Sequence, residues 1–419
     1  MKKPFFLVLF FGIFAFFSFG QDKIVLDLKV QGNKKIKTSF IKKIATIEAG
    51  GVLDSVAIEK DIRRLKRLPS VAHAYYQVFY SHDNLYNVFY NIEENFTIIP
   101  SANIYTSNEG EFAYRLGLYE FNLLGRNMTF GGFYQKDIYS SYGINFRAPF
   151  LFNRQFGLAL NHQDLTTQEP VFFDNTTADY KYRNTSYEVL GLYQINFHNR
   201  IEAGINYFSD EYKSGATNAS VPLALNVKKL LYKFIYEHNN LDYDYQYVEG
   251  FKSMLNFQYV TSTSDELPEF VIGWNDFIYY ARLGTKGNWA SRLRIGFSTN
   301  DDTPFAPFSV DNNLNVRGVG NIIDRGTGAI VLNTEYRHTL YEKGWFSLQG
   351  NAFVDAGTWR NPGGDLGDFS DSQNIRVYPG VGLRFIHKQI FNAIFRIDYG
   401  IGVTPDATKG LVFGIGQYF

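Results

Sequence analysis

Phe346-Ser347-Leu348-Gln349-Gly350-Asn351-Ala352-Phe353-Val354-Asp355 decides how this chain folds. Phe346, Leu348, Ala352 and Val354 fall on one side of an extended chain, and Ser347, Gln349, Asn351 and Asp355 fall on the other, because successive side chains of a strand point to opposite faces. The same period of two returns at residues 393–401, where Ala393, Phe395, Ile397, Tyr399 and Ile401 oppose Ile394, Arg396, Asp398 and Gly400. In residues 375–385, Ile375, Val377, Val381, Leu383 and Phe385 oppose Arg376, Tyr378, Gly380, Gly382 and Arg384. One face is apolar and the other polar or charged, and from residue 96 to residue 419 no helical period replaces this pattern. The runs are about 10 to 13 residues long, enough to cross a bilayer at a tilt.

The connections alternate in length. Tight ones fall at 122–127, 198–200, 285–288 and 342–344, and long ones at 165–183, 299–327 and 358–374. Short turns at one rim and long loops at the other belong to a membrane barrel. A water-soluble sandwich also alternates, but it keeps its strands short and has no reason to alternate its connections. The pattern predicts a mainly β chain whose residues 96–419 form a transmembrane antiparallel β-barrel of about 16 strands.

Composition agrees. The 419 residues carry 41 Lys+Arg and 41 Asp+Glu, no Cys, 40 Phe and 30 Tyr. The mean hydropathy is only −0.21, which fits strands with one apolar face better than spanning helices. Balanced charge leaves no basic footprint for nucleic acid, and the lack of Cys removes disulfides, thiolate metal sites and a Cys nucleophile. Residues 1–20 open with Lys2 and Lys3, run through an apolar stretch and close on Ser18 and Gly20, the layout of a secretory signal peptide.

Residues 21–95 read differently. Ile24, Leu26, Leu28 and Val30 alternate with Val25, Asp27, Lys29 and Gln31 up to the turn Gly32-Asn33. Phe40, Ile44 and Ile47 recur at helical spacing, and so do Ile58, Ile62 and Leu65 behind an Asp54-Ser55 cap. Two aromatic strands follow at 71–80 and 85–92. The order is strand, helix, helix, strand, strand: a small α+β domain.

The long loop at 299–327 contains Asn315-Val316-Arg317-Gly318-Val319-Gly320; the next strand carries Glu335-Tyr336-Arg337 and the one after it Phe353-Val354-Asp355-Ala356-Gly357. With the N-terminal β-α-α-β-β order, this series resembles the superfamily of outer-membrane assembly and secretion barrels that includes BamA, TamA and the two-partner transporter FhaC. The resemblance covers essentially the whole chain after residue 20. It implies one POTRA-like domain at 21–95 in the periplasm and a barrel in the outer membrane of a Gram-negative bacterium. It also implies a function in inserting or translocating unfolded outer-membrane or secreted protein clients, with lipid and periplasmic chaperones or accessory subunits as further partners. A dedicated two-partner secretion pore is the alternative, and a passive diffusion channel or a purely structural subunit explains less. Val319 departs from the aromatic usual at its position in the family.

By periodicity, Glu335, Arg337 and Asp355 all face the lumen. The resemblance implies that Val316, Arg317 and Gly318 fold inward and that Arg317 pairs with Asp355 near Glu335, beside Arg337, Phe353 and Gly357. It further implies a lateral seam between the first and last strands, involving Phe413, Gly414, Gly416 and Phe419, with Leu411, Phe413, Ile415 and Phe419 on one apolar face. In the N-terminal domain, Tyr76, Val78 and Tyr80 lie on a strand whose edge is suited to pairing with a client. The seven His show no metal spacing, and neither a nucleophile elbow nor a phosphate-binding loop is present, so no catalytic residue, metal or cofactor is expected.

Overall fold

The computed structural model describes residues 22–106, 112–173, 176–215, 223–263, 269–300, 306–310, 315–319, 324–405 and 407–419. The signal-peptide reading of residues 1–20 lies outside them, as does Gly320 of the loop motif.

The N-terminal unit comprises β1 (Ile24–Gln31), α1 (Thr38–Ile44), α2 (Ser55–Lys66), β2 (Val71–Tyr80) and β3 (Leu85–Glu94). Its sheet runs β1-β3-β2, with β1 parallel and β2 antiparallel to β3, so β2 has one neighbour in the sheet. Asp54 caps α2 by accepting from the backbone N–H groups of Val56 and Ala57, which otherwise lack partners in a first turn. The strict alternation read along β1 is broken by a bulge between Val25 and Asp27, so Val25 and Leu28 turn inward and Leu26 faces out. Likewise α1 stops at Ile44, short of Ile47. Buried Asp61 accounts for the stop: its carboxylate accepts from the N–H groups of Thr46 and Ile47, the Tyr90 hydroxyl and Arg64. Burial and this carboxylate push the Tyr90 hydroxyl well above its ordinary pKa.

The barrel begins with β4 (Ile98–Thr106), β5 (Phe112–Leu123), β6 (Met128–Lys136), β7 (Ser140–Ala148), β8 (Phe156–Phe173) and β9 (Thr176–Gln194). It continues through β10 (Asn199–Ser214), β11 (Ala224–Asn239), the short β12 (Asp242–Asp244), β13 (Tyr247–Val260), β14 (Phe270–Leu283) and β15 (Gly287–Ser298). The long loop carries β16 (Phe308–Val310) and β17 (Asp324–Gly326), which pair with each other. β18 (Gly328–Lys343), β19 (Phe346–Arg360), β20 (Ile375–His387), β21 (Ile394–Ile401) and β22 (Lys409–Ile415) complete the ring. β12 folds back on β13 as a hairpin, leaving sixteen crossing strands in a nearly closed antiparallel barrel. Among the described residues no helix is long and apolar enough to cross a membrane.

Residues 165–173 and 176–183 are strand, not loop. β8 and β9 pair from Phe156↔Tyr193 to Phe173↔Thr176, so those residues belong to the ladder. Its polar composition has a physical reason: strand that extends beyond the hydrocarbon has no lipid face to cover with apolar side chains.

β22 lies next to β4, yet among the described residues no extended register of paired positions joins them, whereas β21 and β22 share seven. The chain reaches this seam through Phe96, whose N–H donates to the Gln389 carbonyl and whose carbonyl accepts from the Phe391 N–H.

The N-terminal unit sits against the short-turn rim. Arg67 of the α2 C-cap donates to the Leu241 carbonyl and lies over the Phe197 ring at 4.5 Å, with Arg63 and Arg64 over the same ring. Burial and the neighbouring Arg63 lower Arg67 to about 10, which leaves it charged at neutral pH. The hairpin at 240–247 meets it from the barrel side: Asp242 faces Arg63 and Lys66, and Tyr245 stacks on His73 while donating to Glu93.

Candidate functional site

Residues 315–319 leave the long loop and descend into the lumen. Val316 and Val319 pack with Val310, Val331, Trp359 and Tyr378 in an apolar cluster that holds the descending segment against the inner wall. Below it the Arg317 side chain is fully buried. Its Nε and Nη2 donate to the two oxygens of Asp355 at 2.8 and 2.9 Å, and its backbone N–H donates to Oδ2 of the same carboxylate. Nη1 donates to Glu335 Oε2 at 2.6 Å and lies 3.6 Å from Asp398. The planar guanidinium is held between two rings, Phe353 at 3.7 Å and Tyr418 at 4.5 Å.

Glu335 is shared: Arg384 donates to both of its oxygens, and Arg337 Nε also pairs with it. Asp398 pairs with Arg384 and Arg396. Four arginines therefore surround three carboxylates in a volume closed to solvent. Desolvating so many charges is costly, and only their mutual pairing and hydrogen bonding offset the cost. The fork of Arg317, spread over three acidic partners from β18, β19 and β21, fixes the loop to one wall of the barrel.

Glycines make the room. Gly318, at φ +101°, lies flat on Gly400, and a Cβ on Gly318 would stand 2.8 Å from the Gly400 Cα. A Cβ on Gly400 would collide with the Arg317 carbonyl oxygen, and one on Gly357 would come within 2.8 Å of Val310 and 3.2 Å of Val316. Gly400→Val is therefore expected to unseat residues 315–319 while leaving the barrel folded. Protease cleavage within the long loop of the purified protein should rise at least tenfold, and unchanged protection would mean that the loop does not depend on this close approach.

The structure brings Val316, Arg317, Gly318, Glu335, Arg337, Phe353, Asp355 and Gly357 together in one cluster. Val319, where an aromatic was expected, fills the apolar pocket instead, and its carbonyl accepts from the Thr408 hydroxyl. Sequence reasoning had not assigned Arg384, Arg396, Asp398, Gly400 and Tyr418 to this site. The first four had been placed on luminal faces by alternation, which was the available signal, but alternation alone does not say which strands meet the loop.

At the seam, Leu411, Phe413 and Ile415 face outward as expected, but Phe419 does not continue their face. β22 ends at Ile415 and the chain reverses at Gly416, φ +88°, so Gln417, Tyr418 and Phe419 enter the lumen. Only glycine takes that φ without strain, and a Cβ there would also press on Asn392 at 2.7 Å. Gly414 leaves the space occupied by the Arg396 guanidinium. In the N-terminal unit, Tyr76 packs partly on the core, while Val78 and Tyr80 are exposed toward the end of β2, beside Tyr75 and Phe79 on its other face. Among the described residues no group of His, Asp and Glu is arranged to hold a metal ion.

No protein-family model matches the sequence. Solved structures do match it over nearly its full length. BamA from Haemophilus ducreyi lacking POTRA domains 1–3 is 16% identical with a TM-score of 0.56, the match covering 94% of this chain and 84% of that one. CdiB from Acinetobacter baumannii is 14% identical at a TM-score of 0.63, over 94% of this chain and 73% of the other. CdiB from Escherichia coli is 12% identical at 0.62, over 94% and 75%. The molecule thus has the architecture of a sixteen-stranded barrel fitted with a luminal loop and a small α+β unit at its mouth. That architecture is the fold shared by BamA and the two-partner transporters.

Proposed function

We propose that this chain is an outer-membrane protein that handles polypeptide clients, inserting barrel proteins into the membrane or moving proteins across it, with residues 21–95 acting as a single periplasmic POTRA-like domain. The seam carries this reading. Among the described residues β22 and β4 are neighbours without an extended register, so separating them would break few backbone hydrogen bonds, and the edges so exposed would be templates for a client strand. The reaction needs no nucleotide, because client strand pairing and burial of apolar side chains in lipid supply the free energy. The segments inside the barrel speak against a passive diffusion channel, since the loop and residues 417–419 lie in its interior and the 240–247 hairpin lies at its mouth.

Depletion of the protein, followed by quantitative proteomics of the outer membrane and the medium, tests the reading. Loss of several barrel proteins from the membrane is the result expected of an assembly factor. Loss of one large exoprotein with the membrane unchanged identifies a translocation pore, and no change in either fraction overturns the proposal.

A further inference from the structure

The three residues that follow the turn at Gly416 touch both ends of the barrel's contents. Above them, the Tyr418 ring lies 4.5 Å from the Arg317 guanidinium and 4.7 Å from that of Arg396. The Tyr418 hydroxyl is buried and has no hydrogen-bond partner among the described residues, so the ring face, not the hydroxyl, makes the contact. Gln417 accepts from Arg384 Nε, a second member of the arginine-carboxylate cluster. Below them, Phe419 packs against the buried cluster of Leu241, Tyr280 and Ala290, which Tyr243 and Val248 also flank, and its carbonyl accepts from the Tyr280 hydroxyl at 2.7 Å.

Leu241 and Tyr243 belong to the hairpin that the N-terminal unit grips. Asp242 faces Arg63 and Lys66, Arg67 donates to the Leu241 carbonyl, and Tyr245 is stacked on His73 and bonded to Glu93. Contacts therefore run from the α+β unit to the hairpin, through the cluster of Leu241, Tyr280 and Ala290 to Phe419, and through Tyr418 to the buried loop arginine. The same segment is the direct continuation of β22, the last strand at the seam.

We propose that Gln417-Tyr418-Phe419 is a latch that couples the N-terminal unit to the seating of the luminal loop, so that loosening the unit from the hairpin loosens residues 315–319. The coupling is reciprocal, as any equilibrium linkage between two sites must be. Movement of β22 at the seam withdraws the latch from both partners at once. The inference rests on packing, not on the identity of any client, and stands whether the barrel inserts proteins or translocates them.

Hydrogen exchange on the full chain in detergent micelles, read by mass spectrometry over residues 315–319, tests it. Tyr245→Ala, which removes the stack on His73 and the bond to Glu93, should speed exchange of residues 315–319 by about tenfold. In a Tyr418→Ala, Phe419→Ala background these residues should already exchange fast, and Tyr245→Ala should add nothing. Tyr418→Phe, which keeps the ring, should behave as the unaltered chain. Should the double variant fail to form a heat-modifiable barrel, Phe419→Ala alone serves. It frees the hairpin side while Tyr418 stays on Arg317, so Tyr245→Ala should lose its effect on 315–319. The proposal falls if Tyr245→Ala never reaches residues 315–319, or reaches them undiminished after the latch residues are replaced.

Discussion

Replacing Arg317 with alanine is expected to release the luminal loop and to destabilise the barrel together with it. The substitution deletes three side-chain donors and strips Asp355 of both hydrogen bonds from the Arg317 guanidinium, leaving this buried carboxylate only the backbone N–H of residue 317 from the set. Breaking a buried pair from one side costs about 3–5 kcal/mol, more than its net worth when intact, because the remaining charge stays desolvated. Glu335 is less exposed to the loss, since Arg337 and Arg384 still hold it. Amide exchange over residues 315–319 should therefore rise by on the order of a hundredfold or more, which is the same free energy expressed as an opening equilibrium. Arg317→Lys should rescue little of this, since an ammonium cannot engage both Asp355 oxygens in plane while lying flat between Phe353 and Tyr418. Pairing Arg317→Ala with Asp355→Asn should recover part of the loss, because the orphaned charge goes with it. Normal loop protection in Arg317→Ala would remove the lock from the description of this barrel.

The second large effect concerns the seam. Cysteine pairs scanned across residues 98–101 of β4 and 412–415 of β22 are expected to abolish client handling under oxidising conditions, with recovery on reduction. The chain contains no cysteine of its own, so each engineered pair is the sole possible bridge. A bridge requires Cα atoms within about 7 Å, and the pairs that form will thereby report the register of the seam in the membrane. Cells that depend on the protein should grow only when the bridge is reduced. A pair that is fully oxidised by gel shift and leaves growth and envelope composition unchanged would exclude opening between β4 and β22 from the mechanism.

Much of this architecture is legible in the residues because a barrel wall has two environments and a period of two. Asn333, Glu335 and Arg337 alternate with Leu332, Thr334 and Tyr336, and the structure buries the first set in the lumen and leaves Leu332 exposed on the other face. Cases that escape the sequence are those where a second rule overrides that period. At β1 a bulge shifts the register. In β8 and β9 the strands outlast the bilayer and lose the apolar face that would have marked them. At Gly416 one positive φ turns the chain inward, so Phe419, which alternation puts on the outer face with Leu411, Phe413 and Ile415, becomes luminal. The meeting of Arg317 with Asp398 depends on β21 closing round to the loop, a property of the whole ring that spacing within any one strand does not carry.

The strands differ greatly in length around the circumference, and lipid must respond to that. β8 and β9 have 18 and 19 residues, about 60 Å of strand, which at a tilt near 45° stands about 43 Å high and clears a hydrocarbon layer of about 30 Å. β22 has 7 residues, about 24 Å of strand and about 17 Å of height on the same reckoning. Acyl chains on that flank must shorten or splay to avoid wetting, at a cost of fractions of a kcal/mol for each ångström of mismatch. The protein is thus an asymmetric wedge in the membrane, with the most strained lipid packing beside its thinnest wall.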